Sequence, residues 1–340
     1  MDKYPKISVL IAVYNAEKYL RQCLDSLAGQ TLEDCQFICI NDCSTDSSAD
    51  ILQEYARRDN RFQVLCTPVN SGIAKARNLG LQFAKGKYIT TLDADDWFAA
   101  DSLEQAYQTL SSSGVDCVLF QLIMHQDEDG QESLYPIISE KTQWSGEEAF
   151  KLNLEGAIHG VYVIGADYYR RFPFDDASPL YSDENTTNLH FLHASTVTIC
   201  EGRYYYRQHV ASMTHACSIR RFDRMVANLS MKQQLEALPI SDKQDVLAFY
   251  ETHRWFNVVG CYWYYYLHKK AFTPDEHREI ANLFRRMLPT IEQQRLPAKQ
   301  KWKLGYYPFK NYQVFCWVEN FYFSVREIWW RFRGKAPVKP

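Results

Sequence analysis

Apolar and polar positions alternate in blocks over the first hundred residues. Ile7–Val13 is an apolar run of strand length. The segment Glu17–Ala28 behind it sets Tyr19, Leu20, Cys23, Leu24 and Leu27 on one face at helical spacing. Phe37–Ile40, Phe62–Leu65 and Tyr88–Leu92 read as further strands, bounded by polar clusters. A helix reaching Arg58 is predicted behind the Ser44-Thr-Asp-Ser cap signal, and another over Ile73–Ala84. Strands that are apolar nearly throughout and alternate with helices predict an α/β fold, a mostly parallel sheet with helices on both faces. Such sheets take ligands at the C-terminal ends of their strands. Tyr14-Asn15, Asn41-Asp42 and a run of carboxylates stand at those ends.

Beyond Leu110 the rhythm loosens. Cys117–His125 predicts a strand, Asp127–Gly130 a turn and Ser145–Leu154 a capped helix. Val161–Ile164, Thr196–Ile199 and Arg203–Arg207 predict three more strands, and from Ile219 the chain reads as helical and rich in aromatics. The expected organisation is 1–110, 111–216 and a basic, aromatic helical region over 217–340.

Charge sharpens that division. The net charge of −3 hides an acidic front, residues 1–216, with 17 Lys/Arg against 30 Asp/Glu. Residues 217–340 carry 21 against 11, or +10. A basic region is a candidate for phosphate, polyanion or anionic membrane. The ten cysteines include no Cys-x-x-Cys pair. Cys35, Cys39 and Cys43 would lie roughly 13 Å apart along a strand, too far to share a metal. Scattered thiols suit a reducing cytosol. No signal peptide opens the chain and no apolar run reaches spanning length, so a cytoplasmic protein is expected.

The densest chemistry lies in Tyr88-Ile-Thr-Thr-Leu-Asp93-Ala94-Asp95-Asp96-Trp97, where a strand delivers three carboxylates to one loop. Crowded negative charge is unfavourable unless a cation joins it. Hard ions such as Mg²⁺ or Mn²⁺ favour carboxylates together with a ligand's phosphates. The competing reading makes Asp95 or Asp96 the cap of the helix that starts near Asp101. No dinucleotide-binding or Walker-type glycine loop follows the first strand.

Four motifs stand in order over residues 7–97. Val13-Tyr-Asn-Ala-Glu-Lys-Tyr-Leu20 is followed by Asn41-Asp-Cys-Ser-Thr-Asp46, by Asn70-Ser-Gly-Ile-Ala-Lys-Ala-Arg-Asn-Leu-Gly80 and by the acidic loop. Together they resemble the family 2 glycosyltransferases of bacterial surface-polysaccharide synthesis. The resemblance implies a GT-A (Rossmann-like) fold binding a nucleotide-diphospho-sugar across the sheet edge. It implies that Ala12, Tyr14 and Asn15, with Glu17 beside them, back the nucleobase and that Asp42 meets the uracil edge. Arg77 and Lys75 would approach the diphosphate, Asp93 and Ala94 the ribose, and Asp95 with Asp93 the metal. Without the resemblance, Asp42 reads as a turn cap and Arg77 as a solvated helix residue. The family's Asp-Asp-Gly-Ser is here Asn41-Asp42-Cys43-Ser44, a departure that bears on the loop backbone.

The segment Tyr181-Ser-Asp183-Glu184-Asn-Thr-Thr-Asn-Leu-His-Phe191 resembles the family element carrying the catalytic carboxylate. Glu184 falls at that position, with Asp183 as the alternative. An inverting transfer needs one carboxylate to take the acceptor's proton. Ser182 as a helix N-cap is the structural alternative. In Tyr204-Tyr-Tyr-Arg207-Gln-His-Val-Ala-Ser-Met-Thr-His215, His215 is a candidate third metal ligand, and Arg207 either touches phosphate or holds the fold. Glu251-Thr-His-Arg254-Trp255 resembles a processive-synthase motif only faintly, lacking its Gln.

Residues 311–335 mix Trp, Phe and Tyr with flanking cations, as in helices lying in a membrane interface; a sister subunit or the core are the alternatives. The expected enzyme is an inverting, metal-dependent glycosyltransferase moving a hexose from a UDP-sugar to a glycan or glycolipid hydroxyl, with no nucleic-acid partner. Its rivals are a sugar-nucleotide nucleotidyltransferase and a catalytically silent sugar-nucleotide-binding partner.

Overall fold

The structure, a computed structural model, describes residues 4–178, 180–208, 218–298 and 305–332, without the side chains of 182, 183 and 330–332. The chain falls into two compact units, Met1–Ser212 and Met213–Pro340.

Among the described residues, the first unit is built on one ten-stranded sheet with the order β3-β2-β1-β4-β9-β6-β10-β5, the short β7 (Glu132–Leu134) pairing with β6 and β8 (Gln143–Ser145) with β10. Strands β1 (Ile7–Val13), β2 (Cys35–Asn41), β3 (Phe62–Cys66) and β4 (Tyr88–Thr91) pair in parallel. Alternate residues of β1, Ile7, Val9, Ile11 and Val13, pack with Leu20, Leu24 and Leu27 of α1 (Glu17–Ala28) and with Ile51 and Leu52 of α2 (Ser48–Arg58). The opposite face takes α3 (Ile73–Leu81), which comes so close that a Cβ on Gly80 would stand 2.8 Å from Ile40 Cδ1. Both faces are covered, as the unbroken apolar strands require.

The second half of the sheet is mixed. Strand β9 (Tyr162–Gly165) runs antiparallel between β4 and β6 (Cys117–Gln126). The two strands predicted over 196–207 are one long strand, β10 (Thr196–Gln208), with a register shift between Ile199 and Arg203. It lies parallel to β6, and its far end pairs with the short β5 (Trp97–Phe98). That pairing carries Tyr204 and Arg207 beside the acidic loop. Helix α4 (Ser102–Ser113) follows with Asp101 as N-cap and no side-chain cap bond, so neither Asp95 nor Asp96 caps it. Helix α5 (Gly146–Leu154) keeps the predicted cap, a reciprocal Ser145–Glu148 box. Within the Ser44-Thr-Asp-Ser signal it is Ser47 that stands at the N-cap of α2, without a side-chain cap bond, and the helix reaches Arg58. Helix α6 (Ala166–Arg171) precedes α7 (Ser182–His193), whose N-cap is Tyr181 rather than Ser182.

The second unit is helical among the described residues: α8 (Asp223–Ala237), α9 (Lys243–His268), α10 (Pro274–Met287) and α11 (Tyr312–Phe332). Its core is aromatic, with Trp255, Tyr262, Phe284, Phe315 and Phe323 in one cluster. Among the described residues no helix is long and apolar enough to cross a membrane.

Candidate active site

Strand β4 ends at Thr91, and the chain turns sharply with the Asp96 amide donating to the Asp93 carbonyl. This turn gathers the oxygens of Asp93, Asp95 and Asp96 within 4.8 Å of one another. Their roles differ with their surroundings. Asp96 is buried, accepts from the Tyr204 hydroxyl at 2.7 Å and accepts from the Arg207 amide at 2.8 Å. Burial, then the nearby Asp93 and Asp95, pushes its carboxyl well above the ordinary range. Asp93 and Asp95 are half-buried. Asp93 accepts from Arg77 Nη2 at 2.5 Å, and the Arg77 guanidinium also lies over the Phe174 ring. Arg77 is therefore a buried cation beside the carboxylates, not a solvated helix residue.

Arg207 resolves to a structural role. Its Nε donates to the Asp95 carbonyl at 2.8 Å, its Nη1 meets Asp127 at 2.5 Å, its Nη2 donates to Gln22, and its plane stacks on Tyr19 and Trp97. A guanidinium shared among so many partners fixes the backbone that presents Asp95. The Tyr204 hydroxyl, accepting from the Asp93 amide at 3.2 Å while donating to Asp96, pins the other side of the loop. The sequence offered Asp96 only as one of the crowded carboxylates or as a helix cap, and its bond with Tyr204 was not foreseen. More than a hundred residues separate them, and only the β10–β5 pairing brings them together.

The loops after β1 and β2 brace each other. The Asn15 amide donates to Ser44 Oγ, the Thr45 amide to Asn15 Oδ1, the Glu17 amide to Asp46 and the Ser47 amide to Glu17. Tyr14 stands 49% exposed at this rim, and Ala12 is half-buried beneath it. Asn41 Oδ1 accepts from the Ser44 amide, the role a carboxylate would fill. Cys43 has φ +61°, the left-handed conformation that glycine adopts without strain, so this loop keeps a backbone suited to glycine at that position. Asp42 is buried and anchors the next loop. It accepts from Thr67 Oγ1 and from the amides of Ser71 and Gly72 at 2.7–3.1 Å. Burial would raise its carboxyl, but these donors together hold it below the ordinary value. Lys75 is exposed on α3, and Ala94 is half-buried within the acidic loop.

Helix α7 comes to the same place. Its Thr187, with Arg77, Asp93, Gly160, Tyr169 and Tyr204, lines a polar cavity of about 80 Å³. Glu184 is half-buried and sits one turn earlier on the Thr187 face. The helix is held by polar partners. Asn185 donates to Asp175 at 2.5 Å, Asn153 donates to Asn188 at 2.9 Å, and His190 joins the Tyr162 hydroxyl and the Phe172 carbonyl. Burial lowers His190 to about 4, so it stays neutral in the core. The side chain of Asp183 and all of His215 lie outside the described residues.

Residues 8–177 match Glycosyl transferase family 2. EpsH of Bacillus subtilis (strain 168), named a glycosyltransferase, is 31% identical over 231 residues, which are 66% of this chain and 67% of EpsH. The poly(ribitol-phosphate) beta-glucosyltransferase of Bacillus spizizenii is 42% identical over 120 residues, covering 34% of this chain but only 19% of that relative. The crystal structure of S. aureus TarS 1-349 in complex with UDP-GlcNAc superposes with a TM-score of 0.75, covering 94% of this chain and 92% of that one. At 19% identity that likeness carries the fold, the GT-A arrangement expected above. A profile spanning half the chain and a relative matched over two thirds of its length agree with the carboxylate loop and its arginine, and this chain belongs to glycosyl transferase family 2.

Proposed function

We propose that this glycosyltransferase is inverting and metal-dependent, moving a single hexose from a UDP-sugar to a hydroxyl of a cell-surface glycan such as lipopolysaccharide, capsule or exopolysaccharide. The observation that carries the reading is convergence. Asp93 and Arg77 line one cavity with α7, the helix of Glu184, while Asp95 stands beside Asp93. Residues 1–110 hold the donor and 111–216 the acceptor. Ala12, Tyr14, Asn15 and Glu17, with Asp42 and the loop it anchors, take the uridine, while Asp93 and Ala94 take the ribose. Arg77 and Lys75 take the diphosphate.

Three hard carboxylates within 4.8 Å suit a Mg²⁺ or Mn²⁺ ion, with Asp95 and Asp93 as ligands and His215 as a third. Bound there, the ion offsets the charge that grows on the departing diphosphate. Glu184, or Asp183 in its place, accepts the proton of the acceptor hydroxyl as that oxygen bonds to the anomeric carbon. The bond from that carbon to the diphosphate oxygen breaks, and UDP leaves. A UDP-sugar donor and a polymeric acceptor are supported by the ligand of TarS and the name of the B. spizizenii relative. The reading locates the enzyme in the cytoplasm, at the inner face of the cell membrane.

The test is UDP release from a panel of UDP-sugars, with Mn²⁺ or Mg²⁺ and then with excess chelator. Slow, metal-dependent release without acceptor is expected. A silent sugar-nucleotide binder would bind UDP in calorimetry and release nothing. A nucleotidyltransferase would release pyrophosphate from a nucleoside triphosphate and a sugar phosphate. Undiminished release in chelator would overturn the metal assignment.

A further inference from the structure

Helix α11 has two apolar faces. One is spent on the core of its own unit, where Phe315 packs on Tyr262 with ring centroids 5.0 Å apart and Phe323 packs on Trp263 at 4.6 Å. The other faces solvent. Val314, Trp317, Phe321, Val325, Ile328 and Trp329 recur at steps of three and four and are 42–72% exposed. At 1.5 Å per residue this stripe runs for roughly 22 Å. Contiguous apolar surface of that kind marks an interaction site.

We propose that the Val314–Trp329 face of α11 is a docking surface for an anionic lipid bilayer. Three observations choose lipid over a second copy of the chain. One flank of the stripe is Gln313, Asn320 and Ser324, all exposed and uncharged, and on the other Tyr322 and Arg326 are half-buried, with Arg326 over the Trp263 ring. A helix pair relies on flanking charges to set register and partner, and a fluid surface does not. The helix's carboxylates are withdrawn, Glu319 being buried and Glu327 half-buried near the Tyr266 hydroxyl. Tryptophans at 317 and 329 mark both ends, the residue type enriched at membrane interfaces. The charge of the region complements the lipid: residues 217–340 carry +10, with Arg331, Arg333 and Lys335 following the stripe in sequence.

The inference rests on the proposed function only in setting the acceptor at a membrane. Vesicle binding needs neither donor nor acceptor, so its failure leaves the transfer chemistry standing. The experiment is co-sedimentation of the full chain with vesicles of phosphatidylglycerol and phosphatidylethanolamine, against phosphatidylcholine alone. Preferential binding to the anionic vesicles, weakened by salt, is expected. The pair Trp317→Glu and Phe321→Glu should reduce it tenfold or more with UDP-sugar hydrolysis unchanged. Trp317→Phe, which keeps the face apolar, should retain it and serves as the folding-neutral control. No vesicle binding by the wild type, or binding indifferent to the Glu pair, overturns the proposal. So does a wild-type dimer in light scattering that the Glu pair splits into monomers while vesicle binding persists.

Discussion

In the first unit, Asp93 and Asp95 stand half-buried at the end of a strand, beside the buried Arg77 and Arg207. The second unit withdraws Glu251, Arg254 and Lys232 almost wholly from water and leaves Trp317 72% exposed. Its ions neutralise one another. Arg254 Nη1 meets Glu251 at 2.8 Å, Lys232 meets Glu292 at 2.5 Å, and Lys232 pulls the Glu292 carboxyl down to about 2. Charge left near solvent at a strand end is available to a ligand, whereas charge paired in a core holds the fold. The Glu251–Trp255 segment belongs to the second kind, with Arg254 on Thr290 Oγ1 and Trp255 Nε1 donating to the Tyr306 carbonyl.

The largest test of that contrast is Glu184→Gln. If Glu184 is the base, transfer should fall by about 10²–10⁴-fold with the melting temperature unchanged. A comparable loss in Asp183→Asn alone would move the role by one residue. Arg254→Met should do the reverse, costing about 3–5 kcal/mol of stability because Glu251 loses its nearest cation. Urea unfolding measures it, and a loss of hydrolysis at full stability would instead place Arg254 in the chemistry. Asp95→Ala should lower UDP release by about 10²-fold or more while leaving unfolding unaffected.

A smaller effect should appear in the pH dependence of stability. Burial pushes the Glu319 carboxyl from an ordinary 4.5 up to about 8. The folded chain keeps a proton that the unfolded chain gives up. Stability from this group is complete below about pH 4.5 and falls as pH rises toward 8, by up to about 1.4 kcal/mol per unit. Glu319→Gln should flatten the slope, and an unchanged slope would assign it elsewhere. Smallest is Cys43→Gly. Relief of the left-handed cysteine, less the entropy of glycine, should raise stability by under about 1 kcal/mol and leave UDP affinity unaltered in calorimetry.

Periodicity determined the local pieces. β1 and α1 begin and end where the apolar pattern does, the Ser145–Glu148 box caps its helix, and the acidic loop follows its strand. Each depends on neighbours within a few residues, which a sequence displays in order. Helix α2 runs from Ser48 to Arg58 behind the Ser44-Thr-Asp-Ser signal, and Asp46 accepts both from its Ser48 amide and from the Glu17 amide of another loop. Strand order was not written locally at all. The insertion of β9 between β4 and β6 and the return of β10 beside β5 set Tyr204 and Arg207 on the carboxylates, across more than a hundred residues. The same limit applied to the second unit. Aromatic content announced a packed helix, yet which face of α11 meets Tyr262 and which meets solvent depends on where α9 lies. Sequence alone therefore determined the elements, the carboxylate loop and the family resemblance, since these rest on short-range spacing. Tertiary structure decided which polar groups are sequestered in the fold and which remain open to a ligand, since burial and pairing depend on residues far apart in the chain.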